Sequence, residues 1–476
     1  MSKVEVSVLH VHVIAAELKV STKQVEATIE LLDEGATVPF ISRYRKEITG
    51  SMDEVQIAAV RDRFEQLRDL DKRRESILKS INEQGKLTPE LEEKIKVAGT
   101  MTELEDIYLP YKQKRKTRAS IAKEKGLEPL ALLMLEQSSI DLEAEAAKYI
   151  DTEKGVATFE EALSGARDIV AETINEDQAA RTSVRRLFNE KGTIKSRVFP
   201  GKENEGQKYR DYFEWEEPIG KTPSHRLLAM RRGEKEGFLM LDIAPLEEDA
   251  IDVIERQFII VQGRTVAADQ MKLAVKDAYK RLLKPSMETE VRMGTKTKAD
   301  VEAIRVFSDN LKELLLSSPL GQKNVLALDP GFRSGCKLVC LDRQGKLLEE
   351  TVVYPHEPQR QTQQSAAVIM ALCQKHSIGA ISIGNGTAGR ETETFVKTLG
   401  LPKEILIVMV NESGASVYSA SDVAREEFPT YDVTVRGAVS IGRRLMDPLA
   451  ELVKIDPKAI GVGQYQHDVD QTALKK

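Results

Sequence analysis

The sequence has few of the residues that mark disulfide-bonded or zinc-binding proteins. Its 476 residues include only three cysteines, and Cys336, Cys340 and Cys373 match neither a disulfide framework nor a CxxC zinc pattern. Cys336 and Cys340 are four positions apart on a predicted strand, so both side chains point to one face, and we expect them to pack in a core. The cysteines therefore imply no metal site.

Long hydrophobic runs are also missing. No segment approaches the ~20 apolar residues of a membrane span, and the first residues lack the basic and apolar regions of a signal peptide. The sequence therefore predicts a soluble, cytoplasmic protein with no membrane partner.

A strong excess of one charge is the third feature that the sequence lacks. The chain has 70 Lys and Arg against 76 Asp and Glu, which gives a formal net charge of -6. This balance is typical of a globular protein. Any affinity for nucleic acid must then come from local basic patches, because an overall cationic surface is excluded.

Residues 1–323 show a helical period almost throughout. Seven apolar residues recur at mostly three- and four-residue steps and predict one buried stripe on a long helix: Ile57, Val60, Phe64, Leu67, Leu70, Ile77 and Ile81. Capping boxes are predicted at three helix starts: Ser51 with Glu54, Thr100 with Glu103, and Thr158 with Glu161.

From residue 324 the hydrophobic pattern becomes that of short strands separated by helices. The predicted strands are Val325–Leu328, Lys337–Leu341, Leu347–Tyr354, Ala380–Ile383 and Ile405–Val410. Helices are predicted over about 361–375, 391–398 and 416–453. Three successive strands followed by alternating helix and strand indicate an α/β fold of the ribonuclease H-like type. The fold class is therefore mixed, with a mostly α-helical N-terminal region followed by an α/β domain.

Five stretches of this sequence resemble the Tex family of bacterial transcription accessory proteins. They are TVPFISRYRKEITG at 37–50, LEDIYLPYKQKRKTRASIAKEKGLEPLA at 104–131, SHRLLAMRRGE at 224–234, VLALDPGFRSG at 325–335, and DPLAELVKIDPKAIGVGQYQHDVDQ at 447–471. The resemblance implies a Tex-like helical region with helix-turn-helix character over 1–323, a YqgF-type ribonuclease H-like domain over 324–455, and the start of a helix-hairpin-helix region over 456–476. It also implies that an S1-type barrel would follow.

Asp329 ends the first of these strands, and three interpretations compete for it. In ribonuclease H-like nucleases an acid at this position holds divalent ions, and Glu412 is the partner that the sequence offers for weakly bound Mg²⁺ or Mn²⁺. Asn385 and Arg436 stand where further acids would be needed, so we expect an inactive domain without a cofactor. The same turn resembles a phosphate loop of actin-like ATPases, and it also suits a simple Asp-capped turn.

Residues 384–389 match the pattern GxGxxG after a strand and before a helix, as in dinucleotide-binding loops. The loop does not open a βαβ unit, however, and no ribose-binding acid is clearly placed. We therefore favour a tight loop that exposes backbone amides, with a phosphate as one ligand they could take.

Basic residues give the candidate nucleic-acid contacts. The segment YKQKRKTR at 111–118 combines five cations with a tyrosine, which can neutralise phosphates and stack on a base, although a solvated loop is an equal alternative. Together with two later groups, the candidates are Lys112, Lys114, Arg115, Lys116, Arg118, Arg181, Arg185, Arg186, Arg443 and Arg444. The basic residues at 43–46 are interpreted as structural, because neighbouring Phe40 and Tyr44 indicate a packed segment.

These observations together predict a nucleic-acid-binding scaffold without enzymatic activity that acts as a transcription accessory factor. RNA is the expected ligand, with DNA as the other. A metal-dependent, structure-selective nuclease using Asp329 and Glu412 is the first alternative. A docking platform for RNA polymerase or the ribosome is the second.

Overall fold

The structure is a computed structural model that describes residues 3–113, 115–138, 141–260 and 265–475. Its helices are α1 Lys3–Leu18, α2 Thr22–Asp33, α3 Val38–Tyr44, α4 Glu54–Glu83, α5 Pro89–Val97, α6 Met101–Tyr108, α7 Arg118–Glu124, α8 Glu128–Glu136, α9 Leu142–Ala147, α10 Phe159–Glu176, α11 Gln178–Lys191, α12 Ser224–Lys235, α13 Glu247–Phe258, α14 Val266–Asp277, α15 Lys284–Leu315, α16 Thr362–Lys375, α17 Gly389–Lys397, α18 Ala415–Ala420, α19 Asp422–Glu427, α20 Val433–Met446, α21 Pro448–Leu452 and α22 Gln471–Lys475.

The strands form two separate sheets. They are β1 Thr193–Val198, β2 Glu214–Pro218, β3 Leu239–Ala244, β4 Val325–Asp329, β5 Cys336–Leu341, β6 Leu347–Val353, β7 Ala380–Gly384 and β8 Leu406–Val410. The chain divides into two compact units: residues 1–190 with 245–287, and residues 191–244 with 288–476. No helix in the described part of the chain is long and apolar enough to span a membrane. The predicted limits of the three sequence regions stay predictions.

The first unit is helical, as predicted. The seven apolar residues of the predicted stripe are all buried on α4, where they pack into two clusters with the neighbouring helices. Thr100 and Thr158 cap α6 and α10 as expected, but Glu103 and Glu161 accept from the N–H groups of Gly99 and Ala157, so the predicted boxes do not close. The predicted cap at Ser51 is wrong, because Asp53 caps α4 and forms the capping box with Gln56.

The second unit contains both sheets. The order β2-β1-β3 is fully antiparallel, and this sheet lies in a stretch that the sequence predicted as helical. β1 and β2 have the sequences TIKSRV and EWEEP, which lack the apolar runs that located the strands of the larger sheet. The other sheet has the order β6-β5-β4-β7-β8, in which β4, β7 and β8 are parallel. The mostly helical region followed by an α/β domain is therefore confirmed.

Side chains alternate between the two faces of the five-stranded sheet. Leu326 and Leu328 pack with residues of α16 and α17 on one face, whereas Val325 and Ala327 pack against α20 on the other. Cys336, Cys340 and Cys373 lie in the first of these clusters, so the expected core packing of Cys336 and Cys340 is confirmed. Asp329 continues the series of 325 and 327, and its side chain therefore faces α20.

Candidate functional site

Three residues meet where the parallel strands of the larger sheet end. Asp329 is the last residue of β4, Asn385 follows β7, and Glu412 comes two residues after β8. The carboxyl ends of parallel strands share one edge of a sheet, which is where ligands bind in α/β folds. The backbone N–H of Glu412 donates to the side-chain oxygen of Asn385 at 3.2 Å. The two acids that the sequence singled out are thus brought to the same edge.

Glu412 packs directly against the glycine-rich loop that follows β7. A Cβ atom at Gly384 would lie 2.3 Å from one carboxylate oxygen of Glu412, and a Cβ at Gly386 would lie 1.7 Å from the other. A side chain at either glycine would displace the carboxylate from this place, since real Cβ atoms do not come so close. The GxGxxG loop therefore lies against the chain's own carboxylate, and a phosphate next to these glycines would meet a negative charge.

The acid pair perturbs the ionisation of Asp329. The pKa of Asp329 is raised to about 6, mainly by burial and further by the negative charge of Glu412, while the positive charge of Lys337 lowers it. A carboxyl group that loses water and faces a like charge holds its proton more tightly. The sequence analysis did not name Lys337 as a site residue, because it becomes a neighbour of Asp329 only when β5 pairs with β4.

The position on α20 that faces Asp329 is occupied by glycine. A Cβ atom at Gly437 would lie 3.6 Å from a carboxylate oxygen of Asp329. The sequence had assigned this position to Arg436, and that assignment is wrong. Arg436 is buried and donates to the carbonyls of Phe428 at 3.1 Å and Ser419 at 3.4 Å. It serves the local packing of α20 and offers nothing to a phosphate.

Two-metal phosphodiester chemistry needs several carboxylates to hold both ions. Within the described ranges, no group of three or more His, Cys, Asp or Glu side chains is arranged to hold a metal ion. Asp329 and Glu412 supply two acids, Asn385 an amide, and Gly437 no side chain. This set of donors does not fit the two metal ions that an active ribonuclease H-like nuclease binds.

The basic segment at 111–118 lies on the surface of the helical unit. Lys112, Arg115 and Arg118 are exposed. Lys116 is exposed as well and pairs with Glu124 at 3.3 Å. Lys114 falls outside the described residues. The exposed positions suit contact with a phosphate backbone, and the ion pair of Lys116 is weak at such exposure.

Two of the three arginines predicted on α11 are structural. Arg181 is 5% exposed, and its Nε donates to Asp106 at 2.7 Å. Arg185 contacts the other carboxylate oxygen of Asp106 at 2.8 Å. The prediction that Arg181 binds nucleic acid is contradicted by its burial, and Arg185 is committed to the same acid. Arg186 is exposed and remains a candidate.

At the end of α20, Arg444 is buried and Arg443 is half-buried. Arg444 is 4% exposed and donates to the carbonyls of Asn411 and Ser413 at 2.9 and 2.6 Å. Arg443 binds Glu427 at 2.6 Å and lies over the ring of Phe428 at 4.9 Å. The prediction that Arg444 binds nucleic acid is therefore wrong, and Arg443 mainly joins α19 to α20.

Comparison with known proteins shows the family of this chain. Residues 9–82 match the model of the Tex-like protein N-terminal domain, residues 137–307 match the Tex central region-like model, and residues 323–446 match the Tex protein YqgF-like domain. The chain belongs to the Tex family. The acid pair lies within the YqgF-like match, and Arg181 lies within the central region of the family.

Relatives from bacteria and animals are similar over nearly the whole chain. Protein YdcI of Bacillus subtilis is 48% identical over 99% of this chain and 66% of its own length. The transcriptional accessory protein Tex of Neisseria gonorrhoeae is 45% identical over 98% of this chain and 61% of its own length. The human S1 RNA-binding domain-containing protein 1 is 34% identical over 94% and 46%. The Tex-family chain thus spans between about half and two thirds of the length of these relatives.

Proposed function

We propose that this chain is a non-enzymatic, nucleic-acid-binding accessory factor in transcription, with RNA as its main ligand. One observation carries the non-enzymatic part of the proposal: the position that faces Asp329 is Gly437, and no third acid of the described residues joins the pair in a metal-holding group. The exposed cations at 111–118 and the printed names of the relatives, which include a transcriptional accessory protein and an S1 RNA-binding protein, support the binding part. A metal-dependent nuclease is the second candidate, because Asp329 and Glu412 meet at the strand ends.

The first test is for nuclease activity. We expect no cleavage of single-stranded, duplex or four-way-junction substrates in Mg²⁺ or Mn²⁺, since two acids cannot hold the paired ions that activate water and stabilise the leaving oxygen. The measurement is product formation on denaturing gels by the wild type, Asp329→Asn and Glu412→Gln. Cleavage that is present in the wild type and lost in both variants would establish the nuclease instead.

Gly437→Asp is the matched gain-of-ligand control for this experiment. It adds a carboxylate on α20 next to Asp329, and three acids hold a divalent ion better than two. Thermal melting with and without Mn²⁺ should show a larger stabilisation by the ion in Gly437→Asp than in the wild type. An equal, large stabilisation in both would mean that the native pair already forms a metal site.

The second test concerns the basic segment. Replacing Lys112 and Arg115 by Ala should weaken RNA binding several-fold for all sequences, because contacts to phosphate do not read bases. The slope of log K against log salt should fall by about 0.7 for each lost phosphate contact on a single strand. Fluorescence anisotropy titrations at several salt concentrations measure both quantities.

A paired surface lysine provides the control for this variant. Lys72 is exposed in the same unit and pairs with Asp69 at 3.0 Å, so Lys72→Ala removes a cation whose charge is already balanced. It should leave both the affinity and the salt slope nearly unchanged. If Lys72→Ala and the double variant have equal effects, the segment has no specific role and only the net charge matters.

A further inference from the structure

The segment at 38–48 presents an apolar ridge to solvent on the helical unit. Phe40 is 40% exposed, Tyr44 is 58% exposed and Ile48 is 49% exposed. Phe40 and Tyr44 are four positions apart on α3 and share one face of the helix, and Ile48 lies in the turns that follow the helix. Single exposed apolar residues are ordinary, but a contiguous ridge marks an interaction surface. The sequence had predicted that this segment packs inward, and for Phe40 and Tyr44 that prediction is wrong.

The segment is fixed to the unit by other residues. Ile41, Thr49 and Met52 are buried with almost no exposed surface, and the side chain of Gln24 donates to the carbonyls of Thr49 and Gly50 at 3.3 and 3.2 Å. The outward ridge is therefore not needed to hold α3 in place. Its exposed rings are therefore available to contact a ligand, and α3 holds them in a fixed position.

The two rings are arranged beside one another and beside a cation. The ring centroids of Phe40 and Tyr44 are 5.5 Å apart with an interplanar angle of 47°. The guanidinium of Arg45 lies 5.0 Å from the centre of the Phe40 ring, within the range of a cation–π contact. The ring of Tyr44, the most exposed of the three apolar side chains, remains accessible for stacking.

Cations dominate the surroundings of these rings. Arg43 and Lys46 are exposed, and neither has an ion pair with another residue of the described ranges. From Val38 to Ile48 the sequence contains three cations, Arg43, Arg45 and Lys46, against the single acid Glu47. Exposed rings flanked by unpaired cations have the chemistry of a surface that stacks bases and neutralises phosphates.

We propose that this surface, Phe40, Tyr44 and Ile48 with Arg43 and Lys46, is a stacking site for an unpaired base of a single-stranded nucleic acid. Tyr44 stacks on the base, Phe40 supports it from the side, and the two cations contact the flanking phosphates. Charge complementarity favours this occupant over an apolar protein helix, which would leave both cations without partners. The site rests on the proposed function, because it names a second binding point for the same class of ligand.

Base-dependent binding distinguishes this site from the basic segment at 111–118. Contacts to phosphate are the same for an oligouridine and for an oligomer of equal length whose central positions lack bases, whereas stacking needs the base. For the wild type we expect roughly tenfold tighter binding of the complete oligouridine, since stacking on an aromatic residue contributes about that factor or more per base. In the double variant Phe40→Ala, Tyr44→Ala the ratio should fall to about twofold or less.

Two matched variants and one mapping experiment complete the test. Tyr44→Phe keeps the ring and should keep the ratio, while Leu132→Ala removes an apolar side chain of similar exposure from the same unit and should change nothing. Photocrosslinking with 5-bromouridine oligomers, followed by cleavage after Glu34 and Glu47, should label the peptide 35–47. Thermal melting checks that each variant folds.

The outcomes separate this inference from the proposed function. Failure of the wild type to bind any oligomer overturns both. Binding with a ratio that the double variant does not change, or crosslinks that avoid residues 35–47, overturns the stacking site and leaves the proposed function standing. A polyglutamate peptide that binds the wild type as tightly as the oligouridine, and loses affinity in the double variant, assigns the surface to an acidic protein segment and also overturns the inference.

Discussion

Asp106→Ala is expected to lower the free energy of unfolding of the helical unit by about 3–5 kcal/mol, which is the usual cost of removing one member of a buried ion pair. Asp106 is 5% exposed and binds Arg181 at 2.7 Å and Arg185 at 2.8 Å through its two carboxylate oxygens. Removing it leaves two guanidinium groups that repel each other, one of them fully enclosed. Urea unfolding followed by circular dichroism measures the loss.

Arg186→Ala is the matched control, because it removes an exposed arginine from the same helix. A surface substitution of this kind changes stability by about 0.5 kcal/mol or less. Asp106→Asn should fall between the two, since the amide can still accept hydrogen bonds but carries no charge. If Asp106→Ala were as mild as Arg186→Ala, the pair would be no more than a surface contact, and Arg181 would return to the candidates for binding nucleic acid.

This result bears on function as well as on stability. An arginine that pairs with a buried acid can turn outward to a phosphate only by breaking that pair, which would cost the same stability. The basic run on α11 therefore contributes mainly structure, and Arg186 is the residue of that run that we retain as a candidate contact. Basic residues in a sequence indicate a nucleic-acid-binding surface only where they do not form ion pairs with acids from distant parts of the chain.

Local patterns predicted most of the regular structure. The stripe on α4 repeats with the period of a helix, and every residue named for it is buried. The five strands of the larger sheet were each located to within about one residue, because runs such as Val325–Asp329 are short, apolar and bounded by turns. The resemblance to the Tex family, carried by whole motifs, gave the order of the domains.

The candidate site could be predicted only in part. Asp329 and Glu412 follow predicted strands, so their meeting at one edge could be expected. The residue of α20 that faces Asp329 could not be predicted in the same way. Neighbouring residues of a helix point about 100° apart, so an error of one residue exchanges Arg436 for Gly437. The pairing of Asp106 with Arg181 joins residues 75 positions apart, and no local pattern carries that information.

Asp329→Asn is expected to stabilise the chain above pH 7 and to have little effect near pH 4. The pKa of Asp329 is raised to about 6 in the folded state, above the value of about 3.9 in an unfolded chain. The folded state therefore holds the proton more tightly. The stability that this provides is complete below about pH 4 and is lost as the pH rises through 6.

The size and the cause of this effect can both be measured. The raised pKa of Asp329 corresponds to about 1–3 kcal/mol of unfolding free energy after allowance for partial exposure. Asparagine does not lose this stability at high pH, because it stays neutral. Melting temperatures between pH 4 and pH 8, in the presence of EDTA, should diverge between wild type and variant as the pH rises. If the melting temperatures of the wild type and Asp329→Asn changed with pH in parallel, ionisation of Asp329 would not destabilise the folded protein.

Glu412→Gln separates the two causes of the raised pKa. It removes the negative charge beside Asp329 but leaves the burial, which is the larger cause. The pKa of Asp329 should therefore fall only part of the way toward its ordinary value, and the stability of Glu412→Gln should decline at a lower pH than that of the wild type. In Glu412→Gln the further substitution Asp329→Asn should stabilise less than it does in the wild type, because the repulsion has already been removed. Equal gains in both backgrounds would mean that the two acids do not interact, and that their position at one edge of the sheet has no electrostatic consequence.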